Sequence, residues 1–276
     1  MGGLALPAAI DLGVTLTVEP ARETSIVSDS GDLAASVDAV VAELGDAARP
    51  CRGVLTSTLP IGVGLSSSAA VHVVLTLALG GLEGLSLARA ARRAEHAALG
   101  VPSGILDQAA SVLGRAGHAV LLDFGTLAFD YVPVPNELAI VVADSGVTRR
   151  NADTGYATRK RELEEGMPER VRHIESENAR VRAVAAALRA RDLDALGELF
   201  REGHESLRSD FEVTTPELDA LVERALDQGA IAARMTGGGF GGAIVALVEN
   251  DDALRFAACM PGRVWVTRAS AGAREL

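Results

Sequence analysis

The chain has 276 residues, of which 48% are hydrophobic and 23% charged, as in an ordinary globular protein of one large or two modest domains. The formal net charge of −11 excludes general nucleic-acid binding through a basic surface. No apolar run reaches the roughly 18 residues needed to cross a bilayer, and the first residues lack a basic signal-peptide start. Because Cys51 and Cys259 form no paired motif, we expect neither disulfides nor a cysteine metal site. We expect a cytoplasmic protein without a membrane or nucleic-acid partner.

The first half of the chain alternates between two hydrophobic periods. Apolar residues at every second position predict strands, and apolar residues at spacings of three and four predict helices. The predicted strands are 12–18, 54–59 and 118–124, and the predicted helices are 33–44, 69–79 and 87–99.

In the second half, Pro133 and Pro135 predict a domain boundary, which divides the chain into residues 1–134 and 135–276. Helices are predicted to dominate residues 156–228, and Thr215 followed by Pro216 predicts a capped helix start. Further strands are predicted at 138–143, 232–235, 243–248 and 264–267, with a short helix before the last. Strands and helices mix without strict alternation, which predicts an α+β architecture.

The segment from Pro60 to Ala70, PIGVGLSSSAA, leaves a predicted strand and enters a predicted helix. Glycines let the backbone approach a ligand closely, and the amides at a helix start bind anions. The hydroxyls of Ser66, Ser67 and Ser68 can donate to phosphate or coordinate a divalent cation. Neither the Walker A lysine nor a GxSxG elbow is present. We therefore predict a phosphate-binding loop, with a plain helix cap as the alternative.

A second glycine-rich segment, MTGGGFGG, begins at Met235. Gly237, Gly239 and Gly242 match GxGxxG, but the dinucleotide fingerprint requires a helix to follow, and here a strand is predicted. Five glycines in the six positions 237–242 exceed what a hairpin needs. We predict a backbone held against a ligand or another loop, with a tight strand–strand turn as the alternative.

Two acidic residues follow the first loop. Glu95 lies near the end of a predicted helix, and Asp107 opens the next segment. Beside a phosphate loop, one carboxylate could hold Mg²⁺ while the other orients or deprotonates an acceptor hydroxyl. The alternative is that both are solvated surface residues.

Taken together, these segments resemble the galactokinases of the GHMP kinase superfamily. The matching segments are GLSSSAA at 64–70, AEH at 94–96, PSGILDQ at 102–108, DSGV at 144–147 with GY at 155–156, and MTGGGFGG at 235–242. The resemblance implies the GHMP kinase fold. This fold has a ribosomal-S5-domain-2-like, ATP-binding N-terminal domain (1–134, incomplete at its start) and a ferredoxin-like C-terminal domain (135–276).

The resemblance also implies an activity: ATP- and Mg²⁺-dependent phosphorylation of galactose at its C1 hydroxyl, by a monomer. Asp107 would be catalytic and face that hydroxyl, with Gly104 and Tyr156 also contacting the sugar. Ser68 and Glu95 would ligate Mg²⁺. The implied ATP-binding residues are Pro60, Gly62, Val63, Gly64, Leu65, Ser66, Ser67, Ser68, Ala69, Gly238 and Gly239.

One family motif, of the type PGRVNLIGEHTDYN, does not occur in this sequence, although in galactokinases it directly precedes the segment that matches residues 2–11. We therefore expect an N-terminally truncated galactokinase. Three alternatives stay open at this point. The native start lies upstream; or the chain phosphorylates another small-molecule hydroxyl; or it binds ATP or sugar without catalysis.

Overall fold

The computed structural model describes residues 3–29, 31–60, 62–100, 104–147 and 152–276, and side chains within helix 152–164 from residue 155 onward. These residues form two compact units, each held by its own contacts. The smaller unit contains the described residues of Ala8–Ile61, Ser66–Ala116 and Ser270–Leu276. The larger unit contains those of Met1–Pro7, Gly62–Leu65 and Gly117–Ala269.

The smaller unit packs helices against one face of a three-stranded sheet. Its strands are β2 (Val14–Pro20), β3 (Ser25–Ser28) and β4 (Cys51–Ser57), with β4 in the centre, antiparallel to β2 and parallel to β3. Its helices are α1 (Ala34–Leu44), α2 (Ser67–Gly80), α3 (Gly84–Leu99) and α4 (Leu106–Leu113), with a short 3₁₀ turn at Gly45–Ala47. Val40, Leu75 and Leu79 form the core of this unit because the apolar faces of α1 and α2 meet there.

The larger unit holds two antiparallel sheets. One sheet has the order β1 (Leu4–Ala5), β5 (His118–Asp123), β6 (Phe129–Pro133). The other has the order β10 (Val264–Thr267), β7 (Leu138–Asp144), β9 (Ala243–Glu249), β8 (Ala232–Thr236). The helices are α5 (Ala152–Glu164), α6 (Pro168–Ala190), α7 (Leu193–Ser209), α8 (Pro216–Asp227) and α9 (Ala253–Cys259), with a 3₁₀ turn at Asn250–Asp252.

Strand β7 shows how a central strand uses both of its faces. Ala139, Val141 and Ala143 point to one side, into the main cluster with helix residues such as Phe256. Val142 points to the other side, where it packs with Val63. Both faces are covered, so the strand reads as an unbroken apolar run.

The architecture confirms the α+β prediction, and the main predicted helices and strands are present within a few residues of their limits. Thr215 caps α8 by accepting the Leu218 N–H, as predicted. The short strands β1, β3 and β6 and helix α4 were not predicted. The domain limits 1–134 and 135–276 stay a prediction, since packing in the larger unit extends across the proline pair.

No single helix among the described residues has the length and apolar content to cross a membrane. Two consecutive helices, Ser67–Gly80 and Gly84–Leu99, reach the required length and apolar content only together, and the chain bends by 115° between them. Leu75 and Leu87, one in each helix, are fully buried in the smaller unit, as in helices that pack in a protein core.

Buried His173 on α6 is expected to make the larger unit less stable in acid. Its Nδ1 lies 2.9 Å from Ser206 Oγ, and its ring stacks on Phe211 with centroids 4.6 Å apart. Burial is the main cause that lowers the His173 pKa from 6.5 to about 4, with Arg234 and Arg180 adding to it and Glu177 and Asp210 opposing it. The folded state prefers the neutral imidazole. The contribution of His173 to the free energy of unfolding is therefore complete above pH 6.5 and is lost as the pH falls toward 4.

We therefore predict that His173→Gln flattens the loss of stability between these two pH values. For one proton the slope removed is up to about 1.4 kcal/mol per pH unit. Urea unfolding at a series of pH values measures it, with His118→Gln on β5 as the control. An unchanged slope in His173→Gln would show that this histidine does not take up the proton.

Candidate active site

The loop at Gly62–Leu65 is fixed to the larger unit by its apolar side chains. Val63 is fully buried against Val142 and Ala243, and Leu65 packs on the same cluster. Gly62 and Gly64 alternate with these anchors and have left-handed φ angles of 79° and 86°. In this loop the predicted ATP-binding residues therefore divide into two roles. Val63 and Leu65 anchor the loop, whereas Gly62 and Gly64 allow a backbone path that residues with a Cβ adopt rarely.

The start of α2 in the smaller unit has the geometry of an anion site. Ser66 is its N-cap in the left-handed conformation, with φ 55°, and none of the described side chains caps the helix. Helix geometry leaves the N–H groups of Ser67, Ser68 and Ala69 without an intrahelical acceptor. Ala69 is 2% exposed, so its side chain belongs to the core. The helix dipole adds positive potential at this end.

His72 supports this helix start from within. Its Nδ1–H donates to the Ser68 carbonyl oxygen over 2.9 Å, and the ring is 1% exposed. The bond fixes the tautomer with the proton on Nδ1 and holds the first turn, which carries the predicted metal ligand. Sequence analysis assigned no role to His72, because a histidine on an apolar helix face gives no sign of which backbone group it will meet.

A buried pair joins α3 to α4. Gln108 Nε2 donates to Glu95 Oε2 over 2.5 Å, and the two residues are 1% and 8% exposed. Gln108 Oε1 is also buried and finds no hydrogen-bond partner among the described residues. The prediction that Glu95 could be a solvated surface residue is therefore wrong, since burial sets it apart from ordinary surface glutamates.

Asp107 lies in the first turn of α4, one residue before this anchored glutamine. The neighbouring Gln108–Glu95 bond therefore fixes the turn that carries Asp107. Gly104, two residues before the helix start, is exposed, and a Cβ there would meet nothing within 4 Å. Helices α2, α3 and α4 pack together in the smaller unit, which thus contains Ser68, Glu95 and Asp107. Pro102 and Ser103, the first two residues of the family motif PSGILDQ, lie outside the described residues.

A metal at Ser68 and Glu95 would need further ligands. The described residues contain no group of three or more His, Cys, Asp and Glu side chains that could hold an ion. Mg²⁺ characteristically takes one or two protein oxygens and completes its shell with phosphate oxygens and water. A metal held by these two side chains would therefore have to arrive with a nucleotide.

The glycine run 237–242 connects β8 to β9 in the larger unit as a tightly supported turn. Gly237, Gly239, Phe240, Gly241 and Gly242 all have positive φ angles, between 57° and 112°. A plain strand–strand turn requires fewer such residues.

Two backbone anchors support this turn. The Phe240 N–H donates to the Val213 carbonyl over 2.6 Å, and the Gly242 N–H donates to the Val147 carbonyl over 3.2 Å. A Cβ at Gly239 would lie 2.2 Å from Val213 O, and one at Gly241 would lie 2.6 Å from Val147 O. The glycines are thus required by close approach of neighbouring backbone, in line with the predicted loop contact.

Tyr156 lies on α5 in the same unit and is half exposed. The preceding Gly155 lies against Phe240, because a Cβ there would meet two atoms of its ring at 2.8 Å. The tyrosine, predicted to contact sugar, is therefore next in sequence to a residue that packs on the glycine run. The roles predicted for individual residues of both units stay predictions.

Comparison with known proteins identifies the family. The model for the GHMP kinase N-terminal domain matches residues 33–115, and the model described as GHMP kinases C terminal matches 184–266. Galactokinase of Streptomyces coelicolor is 39% identical over 269 residues, which cover 80% of this chain and 70% of that protein. Galactokinase of Thermococcus kodakarensis is 34% identical over 294 residues, which cover 90% of this chain and 84% of that protein.

Solved structures agree. The crystal structure of Lactococcus lactis galactokinase complexed with galactose superimposes with a TM-score of 0.87 at 27% identity, covering 99% of this chain and 90% of that chain. An L. major mevalonate kinase in complex with R-mevalonate has a TM-score of 0.76 at 20% identity and covers 99% and 91% of the two chains, which shows the shared fold. The chain belongs to the GHMP kinase family, in its galactokinase branch.

Proposed function

We propose that this chain transfers the γ-phosphoryl group of ATP to the C1 hydroxyl of galactose. The observation that carries the proposal is its 39% identity to a galactokinase over 80% of this chain. The likeness to a galactokinase complexed with galactose supports the same sugar. The bond between the sugar O1 and the γ-phosphorus forms, the bond from that phosphorus to the β–γ bridging oxygen breaks, and ADP leaves.

Asp107 acts on the sugar hydroxyl in this proposal. Its carboxylate accepts the C1 hydroxyl proton, or holds it while the oxygen attacks, and so keeps the nucleophile in line with the phosphorus. The placement of Asp107 one residue before buried Gln108 supports this role, since the Gln108–Glu95 bond limits movement of that turn. Gly104, which precedes the helix of Asp107, contacts the sugar. Catalysis is then mainly positioning and charge stabilisation, without a covalent enzyme intermediate.

The phosphates are held by backbone. The amides at the start of α2, which none of the described side chains caps, bind phosphate oxygens, and the helix dipole favours their charge. Ser68 and Glu95 would hold Mg²⁺ through oxygen, and the ion would offset negative charge on the phosphates. Gln108 Oε1, which is buried beside Glu95 and has no hydrogen-bond partner among the described residues, would offer a further acceptor there.

The experiment that tests the proposal is a substrate panel. ADP release is measured with ATP·Mg²⁺ and galactose, glucose, mevalonate or homoserine in turn. We expect a kcat/KM for galactose at least tenfold above that for any other acceptor. Turnover of another acceptor with none of galactose would assign a different substrate. ATP binding without turnover of any acceptor would favour a non-catalytic role.

We also predict that the double variant Ser68→Ala/Glu95→Ala loses the Mg²⁺-dependent part of ATP binding. Two charge-assisted contacts are removed, so affinity should fall by about tenfold or more. Titration calorimetry with and without Mg²⁺ measures the effect. The matched control is Glu83→Ala/Ser86→Ala, an exposed pair at the opposite end of α3. Equal affinities in wild type and Ser68→Ala/Glu95→Ala would place the metal elsewhere.

A further inference from the structure

Arg170 of α6 is a buried cation whose three guanidinium nitrogens all have acceptors. It is 2% exposed, and its three guanidinium nitrogens each donate one hydrogen bond. Nε donates to Glu162 Oε2 over 2.8 Å, Nη1 to the Asp210 carbonyl over 2.5 Å, and Nη2 to Glu212 Oε2 over 2.6 Å. Lysine could not reproduce this planar fork, because an ammonium is a point donor.

One arm of this network runs to the helix of Tyr156. Arg170 bonds Glu162 on α5, and its hydrogen bond is the largest cause that holds the Glu162 pKa below its ordinary value. Two turns earlier on the same helix, Gly155 lies against the Phe240 ring. The Arg170–Glu162 ion pair therefore holds the C-terminal end of α5, while the N-terminal part of α5 packs on the glycine run.

The other arm runs to the glycine run itself. Arg170 bonds the backbone of Asp210 and the carboxylate of Glu212, directly before Val213. The Val213 carbonyl accepts the Phe240 N–H over 2.6 Å and lies against Gly239. Both arms thus end on Phe240, one at its ring and the other at its amide.

Glu212, which belongs to this second arm, has a strained backbone conformation. Its φ of 52° is left-handed, which is uncommon for a residue other than glycine. Such a backbone persists where its surroundings hold it in place. Arg170 holds the Glu212 carboxylate, and Arg159 donates to the Glu212 carbonyl from Nε and Nη2, each over 3.3 Å. Two arginines therefore impose the conformation that directs the Val213 carbonyl toward the glycine run.

We propose that Arg170 is a positioning residue that holds the glycine run and the Tyr156 helix in a fixed position relative to each other, and so controls the placement of residues predicted to bind ATP (Gly238, Gly239) and sugar (Tyr156). The inference rests on the proposed function for its kinetic consequence. Its structural consequence is independent of turnover. Arg170 acts through Glu162, Glu212 and Val213 and need not touch a substrate.

Hydrogen exchange tests the structural step. In Arg170→Gln, peptides covering 236–242 and 155–163 should exchange about tenfold faster. Both arms lose their buried anchor, and Arg159, which also pairs with Glu162 and Glu212, is left to join them. Arg172→Gln is the matched control. Arg172 lies two residues further along the same helix, on its opposite side. It pairs with the Asp210 carboxylate, but it is exposed. Unchanged exchange in both peptides of Arg170→Gln would overturn the proposal.

Steady-state kinetics tests the functional step. We expect kcat/KM for galactose to fall by about 10²-fold in Arg170→Gln, since small misplacements at a reacting centre are costly. Arg170→Lys should recover only a small part of the loss. Leu196→Ala, a buried change on α7, supplies a stability-matched control that should keep its kcat/KM. If Leu196→Ala lost as much kcat/KM as Arg170→Gln at the same melting temperature, the effect of Arg170 would be on stability and not on positioning.

A second substitution tests whether Arg170 acts through the backbone of Glu212. Glycine adopts the φ of residue 212 without support, so Glu212→Gly in the Arg170→Gln background should restore about tenfold of the lost kcat/KM. No restoration, or a further loss, would contradict the positioning route through Glu212. If the wild type does not phosphorylate galactose, the proposed function fails, and the exchange experiment still decides the role of Arg170.

Discussion

Asp107→Asn should abolish phosphotransfer while leaving the fold and ATP binding intact. The amide keeps the shape of the carboxylate but cannot accept the sugar proton, and general-base contributions of this kind amount to about 10²–10⁴-fold in rate. Its position next to the Gln108–Glu95 bond means that the turn itself should be preserved. Single-turnover kinetics with galactose measures the loss.

The matched control for this variant is Asp38→Asn, on the exposed face of α1 in the same unit. It should keep the wild-type rate. Turnover of Asp107→Asn at a rate close to that of Asp38→Asn would remove Asp107 from the chemistry and leave it as a structural residue of α4.

Gly239→Ala is expected to have the other large effect. The new Cβ would lie 2.2 Å from Val213 O and 2.7 Å from Val213 Cβ, at a φ of 79°. Either the turn or the Val213 segment must move. Because Gly238 and Gly239 are predicted to bind ATP, we expect a shift of that size to cost about 10²-fold in rate. Steady-state assays should therefore show a lower kcat, together with a lower melting temperature.

Gly229→Ala separates two possible causes of this effect: backbone strain at a left-handed φ, and the close approach of Val213. Gly229 has a similar left-handed φ of 94°, but a Cβ there would meet nothing within 4 Å. It therefore carries the conformational strain alone, about 1 kcal/mol or more. If Gly229→Ala and Gly239→Ala lose activity equally, backbone strain and not the approach of Val213 explains the result.

The chemistry-bearing segments were the most predictable part of the chain, because they break local rules. Three consecutive serines after glycines predict a helix start at a ligand, and α2 begins at Ser67. Five glycines in a six-residue connection exceed the needs of a hairpin, and the structure shows backbone of Val213 and Val147 against them. In both cases the unusual composition reflects a local requirement. The helix starts directly at the serines, and neighbouring backbone lies against the glycines.

Other elements gave little local signal. Strand β1 comprises only Leu4–Ala5, and β3 comprises the four residues SIVS beside β4. Strands this short are stabilised by their neighbours, which the sequence does not show. Helix α4 has eight residues, which is short for a recognisable helical period.

The buried polar contacts were beyond sequence analysis for a different reason. Arginine is almost always solvated, so nothing in the α6 sequence PERVRHIESENARV marks Arg170 as buried while Arg172 is exposed. The partners of Arg170 lie 8, 40 and 42 residues away in sequence. Likewise, Glu95 and Gln108 were both within a recognised motif, but only packing of α3 on α4 brings them into contact.

Product analysis by ³¹P NMR tests the central claim most directly. The wild-type chain is incubated with ATP, Mg²⁺ and galactose carrying ¹³C at C1. We predict a new sugar-phosphate signal that shows coupling to the labelled carbon, an equal amount of ADP, and neither change in Asp107→Asn. Signals from ATP, ADP and inorganic phosphate alone, or a phosphate uncoupled from C1, would contradict phosphorylation of galactose at that hydroxyl.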